Sequence, residues 1–587
     1  MIKNNMPLEP DELAKMNAFD ALWAVSKDHL SDAAILYKAD PKVDDLSSKP
    51  MVRKITYDDL IKNIIRVYHA LKENGVKKGD VVTYSSIVTP ELIYTAYACV
   101  LLGCIFKPID IRFNSEQLLS QFEQTPSKLF IGSKPFVERI LPVYGDLGVE
   151  KIVLTSFTES LPAPVRLVSQ LQGIKNAKKE SRLDKSFTTW NRFISVSSDG
   201  KIPASTTSST DPIHLTATTG TTGTPKQLLH NSSNWNAQLY NGSHCGLNFE
   251  RGDKLFNCNV PWVTFSMVNV IHLFICNGIV MEMDPLWTAE RNAQFIVKSN
   301  PEWWLGAPGW LDELFTSDKY KNADLSNAKR FITGGAPLYP HKHIAYQERL
   351  SSMSKRGVIT PGYGFSEATA AVTTDIENKA YTIGKVWPLL DISIRDYDTG
   401  EILPKGTPGE LWVSSKRDDL SQIAIGYCNN EAANKEVFVT DDNGKRWARS
   451  GDKVVENDDG TITWMSRYKS ILTFNGFNIN CEKIAERVQE VPGVNKVAVI
   501  GCVTGDGNQM PIICVELDKA FADKSDCVVS DIADLFDGGF PDYYKPKDIV
   551  CYEKFPVISM KTDIQSLKRD LLNENGEYKK DLDKQSI

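Results

Sequence analysis

No C-x-x-C pair occurs among the 11 cysteines of this 587-residue chain. They stand singly and are odd in number, which argues against a disulfide framework and against a zinc site. Cys99, Cys104, Cys276 and Cys514 lie inside apolar runs and read as small core residues of a protein in a reducing, intracellular setting. Positive charge is in deficit. The 67 Lys and Arg against 74 Asp and Glu leave a net charge of −7, so there is no basic field for a nucleic-acid backbone. Long apolar runs are missing too: the longest, Leu92 to Phe106, is short and interrupted by glycine and tyrosine, which excludes a membrane span. Met1-Ile2-Lys3-Asn4-Asn5 lacks the apolar core of a signal peptide, and a cytoplasmic location without integral membrane association is expected. The chain shows no internal repeat and no long disordered tract. His341 and His343 have no third ligand near them in sequence and read as solvated loop residues rather than a metal site.

What is present is a large apolar complement, 42% of residues, with 24% charged, as in a soluble multi-domain globular protein. Helix-like periodicity over Tyr57 to Asn74 and Pro90 to Gly103 alternates with strand-like runs at Val81 to Tyr84, Cys104 to Phe106 and Leu129 to Ile131. Such alternation predicts an α/β architecture with largely parallel sheets. Residues 175–210, rich in Lys, Ser, Thr and Asp, read as an exposed connection. Further strands are expected at Lys254 to Val260, Ile279 to Met283, Trp303 to Leu305, Arg330 to Thr333 and Gly357 to Thr360. Beyond residue 385 the pattern turns toward β, with Gly409 to Ser414 and a hairpin from Asp452 to Met465 turning at Asp459-Gly460. The expected division is a large N-terminal domain, 1–466, of α/β subdomains plus a β-rich subdomain, followed by a small α+β domain, 467–587.

The segment Leu215-Thr216-Ala217-Thr218-Thr219-Gly220-Thr221-Thr222-Gly223-Thr224-Pro225-Lys226 follows a short apolar run. Glycines that turn N–H groups inward, hydroxyl donors and one lysine suit a polyphosphate. The Gly-x-x-x-x-Gly-Lys-[Ser/Thr] spacing of the Walker loop is not there. Downstream, Thr333-Gly334-Gly335-Ala336-Pro337 and Pro361-Gly362-Tyr363-Gly364-Phe365-Ser366-Glu367 close strands, where α/β folds place ligands. They supply glycines, an aromatic face, a hydroxyl and a carboxylate. Arg449-Ser450-Gly451-Asp452, Ser466-Arg467 and Phe474-Asn475-Gly476-Phe477 follow in order.

Together these segments resemble the adenylate-forming superfamily of acyl-CoA synthetases, peptide-synthetase adenylation domains and luciferases, from about Ile55 to Leu571. Gly103-Cys104-Ile105-Phe106-Lys107-Pro108 and Gly426-Tyr427-Cys428-Asn429 are similar to its earlier and mid-chain elements. By matched position, the resemblance implies that Thr218, Thr219, Gly220, Thr221, Thr222, Gly223 and Lys226 form the loop on the β- and γ-phosphates. It implies that Gly335, Ala336 and Pro337 with Tyr363 and Gly364 frame adenine, that Ser366 touches the α-phosphate, and that Glu367 holds Mg²⁺. Asp452 and Arg467 would bind ribose. The family's near-terminal catalytic lysine corresponds to Lys561, with Lys568 second; Met560 stands where the family has glycine, and the gap back to Pro556 is one residue shorter.

The implied reaction is attack of a carboxylate on Mg·ATP, giving acyl-AMP and pyrophosphate, then displacement of AMP by the thiol of coenzyme A. Catalysis would come from positioning and from cations aimed at developing charge. Relatives swing the small domain about a hinge, here Lys469, which would bring the Gly476 loop to the thiol tunnel. Trp262 and Val263 would line the acyl pocket. The run Asn259 to Ser266 offers no acidic partner for an α-ammonium, and reads as apolar and aromatic, favouring a fatty or aryl acid. Trp303, Trp304 and Trp310 add to the apolar inventory, as core or as pocket. Two alternatives stay open: delivery to a separate carrier protein, no carrier domain following residue 587, and a nucleotide-binding relative that has lost turnover.

Overall fold

The computed structural model describes residues 6–580 apart from 41, 46–48, 134, 135, 137–140, 163–186, 199, 219–224, 476, 505, 506, 538, 559 and 560. The architecture is mixed α/β, as expected. The chain divides into two compact units, residues 1–392 with 412–449, and residues 393–411 with 450–587. The division expected at 466/467 falls inside the second unit.

The first unit holds two large sheets. In one, the described strands run in the order Gly426–Tyr427, Lys226–Asn231, Pro212–Thr218, Ile105–Pro108, Val81–Ser85, Leu129–Ser133, Lys151–Thr155 and Phe187–Thr189. In the other the order is Lys385–Val386, Ala370–Thr374, Val358–Phe365, Arg330–Thr333, Trp303–Gly306, Lys254–Phe256, Val280–Met283, Ala33–Ala39 and Met51–Thr56. The central pairings of both are parallel, and helices cover their strands, which is why the strands read as continuous apolar runs.

Local sequence explains the helices that matter. Tyr57–Glu73 starts with Thr56 and Asp59 capping each other's backbone. Pro90–Leu102 begins with a Thr89 cap and proline in its first turn, and ends on Gly103 at φ 79°. Two expectations are corrected here. Within 175–210, Phe187–Thr189 pairs parallel with Lys151–Thr155, and the helix after it buries Trp190 and Phe193; aromatics in a polar stretch outweighed its composition. His341 and His343 lie on the helix Pro340–Met353, where His343 is buried and bonded to Asn378 Oδ1 at 2.6 Å.

In the second unit, Val494–Val503, Gln509–Leu517 and Asp548–Tyr552 form a sheet with both faces covered. Alternation along Gln509–Leu517 sends Ile513 and Val515 to the core with Ile484 and Val488, and Ile512 and Cys514 to the core with Phe555 and Leu567. The hairpin Arg446–Glu456/Ile462–Arg467 turns at Asn457 to Gly460 as expected, with Asp452 opposite Arg467.

Candidate functional site

In the first unit, Thr218 and Lys226 are partners at one end of the antiparallel pair Pro212–Thr218/Lys226–Asn231. Thr219, Gly220, Thr221, Thr222 and Gly223 lie outside the described residues. Lys226 carries its ammonium 5.6 Å from the centroid of the Tyr427 ring. Behind it the sheet is polar: Gln227 Nε2 donates to Gln121 O at 2.8 Å, and buried Lys107 donates to Thr125 O at 2.8 Å. Burial pulls the Lys107 ammonium down to about 7.

Tyr427 also donates its phenol proton to Glu367 Oε1, and Glu367 O accepts from Ala424 N at 2.9 Å. Glu367 is therefore held at both its side chain and its backbone by the segment leading to Tyr427. His230 Nε2 meets Ser366 O at 3.1 Å. The turn beyond is strained: Thr369 and Ala370 adopt φ of 53° and 78°, unusual for residues with a Cβ. Two buried glutamines hold it, Gln238 Nε2 bonding Ala371 O at 2.8 Å and Gln422 Nε2 bonding Ala368 O at 2.8 Å. Gly364 is required by close approach, since a Cβ there would lie 1.7 Å from Ala370 O. Gly335 is at φ +77°, and Gly335, Ala336 and Pro337 are exposed beside the half-buried Tyr363.

Trp262 is buried with the Arg112 guanidinium 5.6 Å from its ring, and Arg112 is itself bonded to Asp110 at 2.7 Å. Apolar side chains, Met267, Val268, Val270 and Ile271 among them, are buried in this region together with polar ones. Asn257, Asn259, Thr264, Ser266, Asn269 and His272 are all buried here, and Ser266–His272 is a π-helix. Trp303 and Trp304 belong to the core, packed against Phe274 and Phe331, while Trp310 lies against Trp287.

In the second unit, Asp452 is buried and meets Arg467 Nε at 3.3 Å and Trp464 Nε1 at 3.3 Å. Glu482 nearby is pushed up by burial, opposed by the Arg467 charge. Lys469 is exposed in the turn Tyr468–Ser470, whose Tyr468 stacks on Tyr397 at 4.2 Å. Gly476 lies outside the described residues, between Ile471–Phe474 and Phe477–Asn480. Lys561 opens the strand Lys561–Thr562, paired with Val557–Ile558; Lys568 is on the helix Ile564–Leu571.

Residues 34–428 match the family described as AMP-binding enzyme, more than half of the chain. The chain belongs to the AMP-binding enzyme family. It is 23% identical over 457 residues to a long-chain-fatty-acid–CoA ligase of Bacillus subtilis (strain 168), covering 76% of this chain and 78% of that one. To an acyl-CoA ligase of Aspergillus fumigatus it is 26% identical over 474 residues, covering 76% and 73%. Its fold matches the crystal structure of an anthranilate CoA ligase in complex with anthranoyl-AMP, with a TM-score of 0.79 at 19% identity, covering 96% and 99%.

In this AMP-binding enzyme the structure brings together Lys226, Ser366 and Glu367 through Tyr427 and His230, and separately Asp452 with Arg467. Sequence reasoning assigned no role to Tyr427, His230, Gln238 or Gln422. Tyr427 had a signal, its place in Gly426-Tyr427-Cys428-Asn429. Lone amides such as Gln238 and Gln422 carry none, because only the fold shows which carbonyls they meet. Among the described residues no group of three or more His, Cys, Asp or Glu could hold a metal ion, and no helix is long and apolar enough to cross a membrane.

Proposed function

We propose that this protein activates a carboxylic acid with ATP to an acyl-adenylate and transfers the acyl group to coenzyme A. The observation that carries this reading is the Glu367 carboxylate, fixed by Tyr427 beside Lys226, in a chain of the AMP-binding family. The relatives' names, with acids from long-chain fatty to anthranilic, support a fatty or aryl substrate.

Glu367 fits Mg²⁺. Tyr427 occupies Oε1 and leaves Oε2 as a hard oxygen donor, and Mg²⁺ is commonly held by one carboxylate plus phosphates and water. Bound there, the ion would neutralise charge on the phosphates. Lys226 would attract the β- and γ-phosphates with residues 218–223. Ser366 would donate to the α-phosphate, and Tyr363, Gly364, Gly335, Ala336 and Pro337 would frame adenine. Asp452, held by Arg467 and Trp464, would accept from the ribose hydroxyls. Residues 467–587 would act as a mobile domain carrying Lys561 toward the developing charge, pivoting at Lys469 and bringing Gly476 to the thiol. Trp262 and Val263 would border the acyl group.

ATP–pyrophosphate exchange over a panel of carboxylic acids tests the first step; no exchange with any acid sinks it. Adding coenzyme A and looking for thioester separates it from a carrier-protein acceptor. Lys561→Ala is expected to lower adenylation by orders of magnitude while sparing thioester formation from supplied acyl-AMP. The same outcome from Lys568→Ala instead would move the catalytic lysine.

A further inference from the structure

A run of buried polar rings crosses the first unit that the proposed chemistry leaves unused. Ring centroids stand 5.6 Å apart from His230 to His214, 5.3 Å from His214 to Trp235 and 5.4 Å from Trp235 to His272. All four residues are at most 1% exposed. Most of their hydrogen-bonding capacity is unspent: both nitrogens of His214, Nδ1 of His230, Nε1 of Trp235 and Nε2 of His272 are buried without a partner.

The bond from His230 fixes its tautomer. His230 Nε2 donates to Ser366 O at 3.1 Å, which leaves Nδ1 an acceptor in the neutral ring. The Tyr97 hydroxyl lies 2.9 Å from His272 Nδ1, and since either can donate, Nε2 is a donor or an acceptor according to the tautomer. Burial holds His230 down to about 4, His272 to about 3 and His214 well below its usual value, so the wall is uncharged at neutral pH. It presents an N–H donor from Trp235, one donor and one acceptor from His214, an acceptor from His230, and from His272 a nitrogen whose role follows its tautomer.

Adjacent buried groups of this kind are rare without something bonding them. A plain alkyl chain would leave each of them unpaired, and a second carboxylate would find no cation. A hydroxyl, which both donates and accepts, matches the set. The position fits as well. Thr216, two residues from His214 on the same face of its strand, has its hydroxyl 2.9 Å from that of Thr264, next to Trp262 and Val263.

We propose that the acid this protein activates carries a hydroxyl group beyond its carboxylate, and that His214, Trp235 and His272 bond it. The proposal rests on the adenylation reading above. The test is ATP–pyrophosphate exchange with chain-matched pairs: decanoic acid against its β-, mid-chain and ω-hydroxy forms, and benzoic and cinnamic acids against their monohydroxy forms. One hydroxy acid is expected to exceed its parent in kcat/KM by about 10-fold or more, because a site built to bond a hydroxyl rejects the analogue lacking it. Trp235→Phe, which keeps one aromatic ring and removes the indole N–H, is expected to shrink that ratio toward one.

Parents that match or exceed every hydroxy form overturn the proposal and assign the orphaned groups to water. An unchanged ratio in a folded Trp235→Phe overturns it likewise. Failure of every acid in both series overturns the adenylation reading itself, which the previous outcomes leave standing.

Discussion

Two helices of 13 residues in the first unit are almost equally buried and could hardly differ more in composition. Pro90–Leu102 is apolar and buries all but one of its residues. Ser232–His244, rich in Ser, Asn and Gln, buries all but two. The first is held by contact with a large hydrophobic core. The second is held by amides that cross to other segments: Asn234 to Ser421 O and Ile423 O, Asn236 to Leu13 O and Met16 O, Gln238 to Ala371 O, and Asn241 to Gln422. Apolar contact is non-directional, whereas the amides of the polar helix fix the particular carbonyls they bond. Those segments include the strained turn after Glu367 and the stretch leading to Tyr427, so the polar helix sets the position of the site.

The largest expected effect comes from breaking the polar side. Asn234→Leu removes the bonds to Ser421 O and Ile423 O and the cap on Asn231 N, and is expected to cost about 3–6 kcal/mol by urea denaturation, each stranded buried group costing about 1–3. Ile93→Ala on the apolar helix is expected to cost about 2–4 kcal/mol through lost burial and a residual cavity. A loss from Ile93→Ala that clearly exceeds the Asn234→Leu loss would reverse the comparison.

A pH dependence separates the two helices next. Glu91, in the first turn of the apolar helix, is pushed up to about 7 by burial, with Ser160 Oγ bonding one oxygen at 2.5 Å and the other oxygen unpartnered. The folded state therefore binds the Glu91 proton more tightly than the unfolded state. Stability from this group is present below about pH 4.5 and is lost as pH rises to about 7, by roughly 3 kcal/mol. Glu91→Gln should flatten that slope in melts taken between those limits, and a slope unchanged in the variant would remove Glu91 as its source. The smallest effects are the caps: Thr89→Ala and Asn231→Ala should each cost about 1 kcal/mol, leaving the contrast untouched.

The same contrast explains what could be read from the sequence. Pro90 to Gly103, the parallel strands and the hairpin at Asp459-Gly460 were legible because apolar period and turn residues report local structure directly. The family was legible from the motifs within residues 34–428. The helix Ser232–His244 was not, since its residues satisfy one another only across long separations. For the same reason Asn259 to Ser266 read as apolar from Trp262 and Val263, while amides, hydroxyls and an imidazole are buried among the apolar side chains there.

The π-helical turn at Ser266–His272 carries a consequence of phase. An α-helix advances about 100° per residue, and the wider turn accommodates one residue more than an α-helical path between the same two ends. Deleting a single residue within it would therefore let the segment return to α-helical winding with both of its ends in place. His272, which ends the wide turn, would keep its place beside Tyr97 and Trp235. The turn is thus a point where the residue count can change by one without moving that wall, whereas the same deletion in an α-helical stretch would rotate all that follows by about 100°.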